Sequence, residues 1–89
     1  MSKEKAVLYV TFRTKVGPSQ GRFQVGKDTA KVLGLGKRDY VDLVIRDANT
    51  GKLLYAGKKQ FKSDHEVYNG ELAKMLKPEQ LIIVEASSP

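Results

Sequence analysis

Apolar and polar positions alternate near the start of the chain. Leu8, Val10 and Phe12 interleave with Tyr9, Thr11 and Arg13, a period of two that predicts a half-buried strand over Ala6 to Arg13. Gly17-Pro18 and Gly21 break the pattern, so Thr14 to Gly21 reads as a loop. Arg22-Phe23-Gln24-Val25 alternates again and predicts a short strand, with Phe23 and Val25 inward and Arg22 and Gln24 outward. Beyond Gly26, Asp28 is placed to cap a helix of one to two turns over Thr29 to Leu33, and Gly34 suits its left-handed stop. So short a helix cannot hold itself together, and Val32, Leu33 and Leu35 are expected to dock it on a sheet.

The second half follows a similar course. Val41, Leu43 and Ile45 oppose Asp42, Val44 and Arg46 in a strand over Tyr40 to Arg46. Asp47 to Lys52 holds Asn49 and Gly51 and reads as a turn into a paired strand, Leu53 to Ala56, extending toward Phe61. Lys58 to Asp64 is polar and basic, with Phe61 its one aromatic. Glu66 to Tyr68 is a short strand, Asn69 can cap a helix over Gly70 to Leu76, and Pro78 follows as a stop. Leu81 to Glu85 is apolar enough to lie inside a sheet, and Ala86 to Pro89 is a tail.

These elements form a repeat. Ala30-Lys31-Val32-Leu33 matches Ala73-Lys74-Met75-Leu76, and each match lies between a short strand and a longer apolar one. Each short strand is preceded by a loop rich in Lys or Arg. The expectation is a single domain over residues 1–89, mostly β with two short helices. It is a small pseudobarrel of two related strand–helix–strand halves, each with one arm.

Composition narrows the chemistry. In 89 residues, 16 Lys and Arg stand against 10 Asp and Glu, a net charge of +6, which favours an acidic partner. No cysteine means no disulfide scaffold and no thiolate zinc site, and the single His65 leaves no multi-histidine metal site, so neither metal nor cofactor is expected. No run of about 18 apolar residues could span a membrane. Met-Ser-Lys-Glu-Lys leads into a strand pattern rather than an apolar signal core, so a soluble, cytoplasmic domain is expected.

Two motifs point to catalysis and fall short. Gly21 to Lys27 has the G-x-x-x-x-G-K spacing of a phosphate loop, but Asp28 stands where a hydroxyl must reach magnesium, and the residues between alternate like a strand. His65 lies between Asp64 and Glu66, whose strand neighbours point to opposite faces, so no relay forms. An enzyme is not expected.

Charge position says more than its total. Arg13, Lys15, Arg22, Lys27, Lys31, Lys37 and Arg38 face Asp28 alone between positions 13 and 38. Lys58, Lys59 and Lys62 face only Asp64 in the second loop, whereas Glu66, Glu71, Glu79 and Glu85 outnumber Lys74 and Lys77 beyond it. The loops also carry groups able to read base edges: Arg pairs with guanine and Gln with adenine through two hydrogen bonds each. Arg13, Gln20, Arg22, Gln24 and Gln60 are the candidate readers. Lys15, Lys27, Lys58, Lys59 and Lys62 are candidate phosphate anchors, with Ser19, Ser63 and Asp64 assisting. Gly17, Pro18 and Gly21 would shape the first loop. The other aromatics fall in strand patterns, so the several stacking platforms that single-strand binding wants are missing.

The run Gly21 to Leu35 resembles the AbrB-like swapped-hairpin transcription factors: a Gly, a short alternating strand, Lys27, a short helix and Leu33-Gly34-Leu35. Gly26 stands where that family usually has Pro, and Lys37-Arg38-Asp39 where it has Pro-Gly-Asp. Over Arg13 to Ser87, with Phe61 to Tyr68 and Leu81 to Ser87, the chain is similar to a longer relative. This is the DNA-binding pseudobarrel of plant B-three domains and of the effector domain of the restriction enzyme EcoRII. The resemblance implies an N-arm at Arg13 to Gln24 and a C-arm at Lys58 to Asp64 that grip the major groove of double-stranded DNA. It fits a role in transcription regulation or in a restriction system. A monomer is expected, because one chain holds both halves, with a homodimer as the alternative. The competing readings are an RNA-binding β-barrel and a basic protein-interaction module, such as a small regulator or inhibitor.

Overall fold

The computed structural model describes residues 8–18, 21–62, 65–68 and 70–89. The strands are β1 (Tyr9–Lys15), β2 (Phe23–Gln24), β3 (Tyr40–Asp47), β4 (Leu53–Gln60), β5 (Glu66–Val67) and β6 (Leu81–Ser87). Helix α1 (Lys27–Val32) lies between β2 and β3, and α2 (Gly70–Met75) between β5 and β6. The chain is therefore mostly β with two short helices. A four-stranded antiparallel sheet has the order β1-β6-β3-β4, and β2 and β5 pair as a two-stranded ribbon. One core joins them: Val41, Leu43 and Ile45 of β3 and Ile82, Val84 and Ala86 of β6 are buried with Phe23, Val67, Leu33, Leu72 and Leu76.

The alternation predicted most of this, and the departures have physical causes. Strand β1 runs to Lys15 because Arg13, Thr14 and Lys15 continue to pair with Ile83, Ile82 and Leu81. The expected start at Ala6, like the Asn69 cap, lies outside the described residues. Gly26, at φ 97°, takes the N-cap position of α1. Asp28 is instead in the first turn, where a carboxylate still faces the positive end of the helix. Val32 does not dock: it is 58% exposed, because a six-residue helix buries one ridge, here Ala30 and Leu33. Phe61, expected in a loop, is a core residue at 1% exposure.

The two halves are related by an internal twofold. Exchanging β1 with β4, β2 with β5, α1 with α2 and β3 with β6 leaves every strand pairing in place. Local bonds repeat as well. Val16 N donates to Gln80 O at 2.8 Å, and its counterpart Phe61 N to Asp39 O at 3.0 Å. Gly17 N donates to Arg22 O at 2.6 Å across the root of the N-arm, and Lys62 N to Glu66 O at 2.8 Å across the root of the C-arm. Gly36 N donates to Asp39 Oδ2 at 2.6 Å, and Lys77 N to Gln80 Oε1 at 2.9 Å, which closes the same turn before β3 and before β6. Gly21 and His65 are counterparts too, and both are left-handed, at φ 57° and 62°. The axis passes between the paired Phe23 and Val67, and between Val44 and Glu85 in the larger sheet.

Asp47 secures the β3–β4 hairpin to β6. Its Oδ2 accepts from Gln80 Nε2 at 2.8 Å, and its Oδ1 accepts from Asn49 N at 2.7 Å and Thr50 N at 3.0 Å. The Gln80 bond first, then the two backbone bonds, hold this carboxyl below its ordinary value of 3.8. A depressed folded value stabilises the fold above the ordinary pKa, and the contribution is lost as the pH falls through the depressed one. Asp47→Asn is therefore expected to lower the melting temperature at pH 7. The gap to the parent should close in strong acid, where both side chains are neutral. A thermal melt series across pH checks this.

Candidate nucleic-acid interface

The two arms leave the large sheet from its edge strands β1 and β4 and return through β2 and β5. Because β2 and β5 pair with each other, the end of the N-arm and the strand that follows the C-arm meet in one ribbon. Phe23, Val25, His65 and Val67 are buried under it. Arg22, Gln24, Glu66 and Tyr68 alternate with them and face outward. His65 packs edge-on against Phe61, ring centroids 5.1 Å apart, and its Nδ1 meets no hydrogen-bond partner among the described residues.

Arg22 is held on two sides. Its guanidinium carbon lies 4.4 Å from the Tyr68 ring centroid, and its Nε is 3.7 Å from Glu66 Oε2. This uses Arg for what Lys cannot do, stacking a planar cation on an aromatic face while its fork stays oriented. Tyr68 also lines a hollow of about 260 Å³ with Arg38, Gln60, Phe61 and Lys62. Gln60 Nε2 donates to Arg38 O at 2.9 Å, which fixes the amide. Tyr68 thus connects Arg22 of the N-arm to the C-arm residues Gln60 and Lys62.

No family pattern, curated protein or solved structure matches this chain. The site therefore rests on its own geometry.

The candidates sort into three groups. Arg22 and Gln24 of the N-arm share the ribbon face, and Gln60 and Lys62 of the C-arm share the adjoining hollow. Arg13, Lys15 and Lys58 are exposed on the two edge strands close to the arm roots, and Arg13 and Lys58 are twofold counterparts. Lys58 pairs across the sheet with Asp42. Lys27 is exposed in the first turn of α1. Ser19, Gln20, Ser63 and Asp64 lie outside the described residues.

Lys59 is placed differently from the other expected phosphate anchors. Its partner across the sheet is buried Val41, so its side chain leaves β4 on the core face. There Nζ donates to Glu71 Oε1 at 2.6 Å and lies 5.2 Å from the Tyr55 ring centroid. The Glu71 bond raises its pKa against a smaller desolvation effect. In this arrangement the Lys59 ammonium is engaged by Glu71 rather than left without a partner. The signal was present in the sequence: Lys59 shares the parity of Tyr55, Gly57 and Phe61, all inward. Arg38, Glu66 and Tyr68 were not among the expected site residues. Tyr68 was read as sheet packing, and its contact with Arg22 depends on a strand pairing that no local pattern encodes.

Proposed function

We propose that the protein binds double-stranded DNA in the major groove, through its two arms, without catalysis. The observation that carries this reading is the β2–β5 pairing, which sets Arg22 and Gln24 of the N-arm beside Tyr68, whose ring lines a hollow with Gln60 and Lys62 of the C-arm and with Arg38. Arg22, oriented by Tyr68 and Glu66, is suited to the O6 and N7 of guanine, and Gln24 to adenine. Lys62 and Arg38 supply charge beside them, and Arg13, Lys15 and Lys58 continue it along the edge strands toward the flanking phosphates. A transcription regulator and the specificity domain of a restriction system would both use such a surface. Closure of both halves within one chain supports binding as a monomer.

Charge-to-neutral substitutions read out by salt dependence test the assignment. Lys62→Gln is expected to reduce the log–log slope of affinity against salt by about one unit. Lys59→Gln, whose cation is held by Glu71, and Lys74→Gln, on the solvent side of α2, are expected to leave the slope unchanged. Equal reductions in all three would remove the arm assignment.

A further inference from the structure

We propose that the hollow beside the C-arm holds a single nucleotide whose base is out of the stack. The phosphate would lie against Arg38 and Lys62 and the base against Tyr68. This rests on the nucleic-acid reading and deepens it.

The twofold does not dictate this lining. The N-arm counterparts of Arg38, Gln60, Phe61, Lys62 and Tyr68 are Glu79, Lys15, Val16, Gly17 and Gln24. The C-arm set exchanges an acid for Arg38 and aliphatic and amide groups for two aromatic rings. Phe61 is explained by the core it fills, but Arg38 and Tyr68 are not core residues, so ligand chemistry is the better explanation for those two.

That chemistry is composite. Among the described residues neither Arg38 nor Lys62 is in an ion pair, which leaves two cations to meet one anionic group. The Gln60 amide is held through its Nε2, so Oε1 is presented as an acceptor for an exocyclic amine. Phe61 is buried beneath, and the Tyr68 ring carries Arg22 at 4.4 Å. A bare phosphate needs no rings, and an apolar ligand needs no paired cations. A nucleotide uses both, with base stacking on an aromatic ring and phosphate on basic side chains. At about 260 Å³ the hollow is just below the usual range of roughly 300–1,000 Å³ for ligand pockets. It suits one base with its phosphate and not a run of them. Enzymes that act on bases seat an extruded nucleotide in such a pocket, and a binding protein can read a flipped base in the same way.

The nucleotide could be extruded from a bound duplex or taken free from solution, and two measurements on the full chain separate these. In the first, 2-aminopurine is walked through a duplex while binding is followed by anisotropy. Extrusion gives a several-fold fluorescence rise at one position, lost in Tyr68→Ala and reduced in Gln60→Ala, each checked for a parental melting profile. In the second, deoxynucleoside monophosphates and inorganic phosphate are titrated in separate arms against the amide resonances of Gln60, Lys62 and Tyr68. Free-nucleotide binding shifts all three with the monophosphates and not with phosphate alone. Duplex binding with flat fluorescence at every position and no monophosphate shifts overturns the pocket and leaves the DNA reading standing. Equal shifts from phosphate alone reduce the hollow to an anion seat and also overturn it. Monophosphate shifts without any duplex binding overturn the DNA reading and keep the pocket.

Discussion

Arg22→Ala is expected to weaken binding to a preferred duplex by about 1–3 kcal/mol, roughly 5- to 150-fold, and to flatten discrimination at one guanine. The basis is the double restraint on the side chain, Tyr68 beneath the guanidinium and Glu66 beside its Nε. A pre-positioned fork loses little further freedom on pairing with a base edge. Arg22→Lys keeps the charge but neither the plane nor the fork, so it is expected to restore non-specific affinity and not the guanine preference. The fold should tolerate both changes. The Arg22–Glu66 contact is long and part-exposed, and such pairs contribute about 0–1 kcal/mol. Affinity to matched and guanine-substituted duplexes, set beside a thermal melt, separates loss of reading from loss of structure.

Gly21→Ala is expected to be the most damaging single change to the fold. Gly21 sits at φ 57°, and a Cβ there would lie 2.6 Å from Leu72 C, 2.7 Å from Leu72 O and 2.8 Å from Ala73 N. The left-handed conformation alone costs a non-glycine residue about 1–2 kcal/mol. The backbone clash adds to it, because the opposing atoms belong to helix α2 and not to a side chain that can turn away. Leu72 and Leu76 anchor α2 in the core, so relief by moving the helix would empty that core. The total loss is expected to be about 3 kcal/mol or more. Gly34→Ala is the internal control: φ is 74°, but nothing lies within 4 Å, so only the conformational cost applies. Chemical denaturation of the two variants checks the ranking. Equal losses would show that the N-arm root does not press on α2.

Legibility followed the range of the interaction. Strand β3 was readable because it buries one face, so alternation carries its direction as well as its presence, β4 from the turn that leads into it, and β6 from its apolar run. The repeat was readable from Ala30 to Leu33 and Ala73 to Leu76, although the match is not one of burial throughout: Ala30 is buried, Ala73 is exposed, and Leu72 fills the core instead. What alternation could not give was which strands meet. The pairing of Phe23 with Val67 links residues far apart in sequence, and the contact of Arg22 with Tyr68 follows from it. The same holds for Lys59 and Glu71, whose bond depends on where α2 lies over β4. The charge count selected the two basic loops, and only the fold showed which cations lie beside an acidic partner, Arg22 with Glu66 and Lys59 with Glu71.

The most direct test of the two-arm reading is the affinity of the full chain for random-sequence duplex DNA across a salt series, with single-stranded RNA as competitor. The expected result is tight binding at low salt, a log–log slope of several units and weak competition by the RNA. No duplex binding at low salt, or binding that does not respond to salt, would contradict it. RNA displacing the duplex at equal concentration would transfer the surface to RNA.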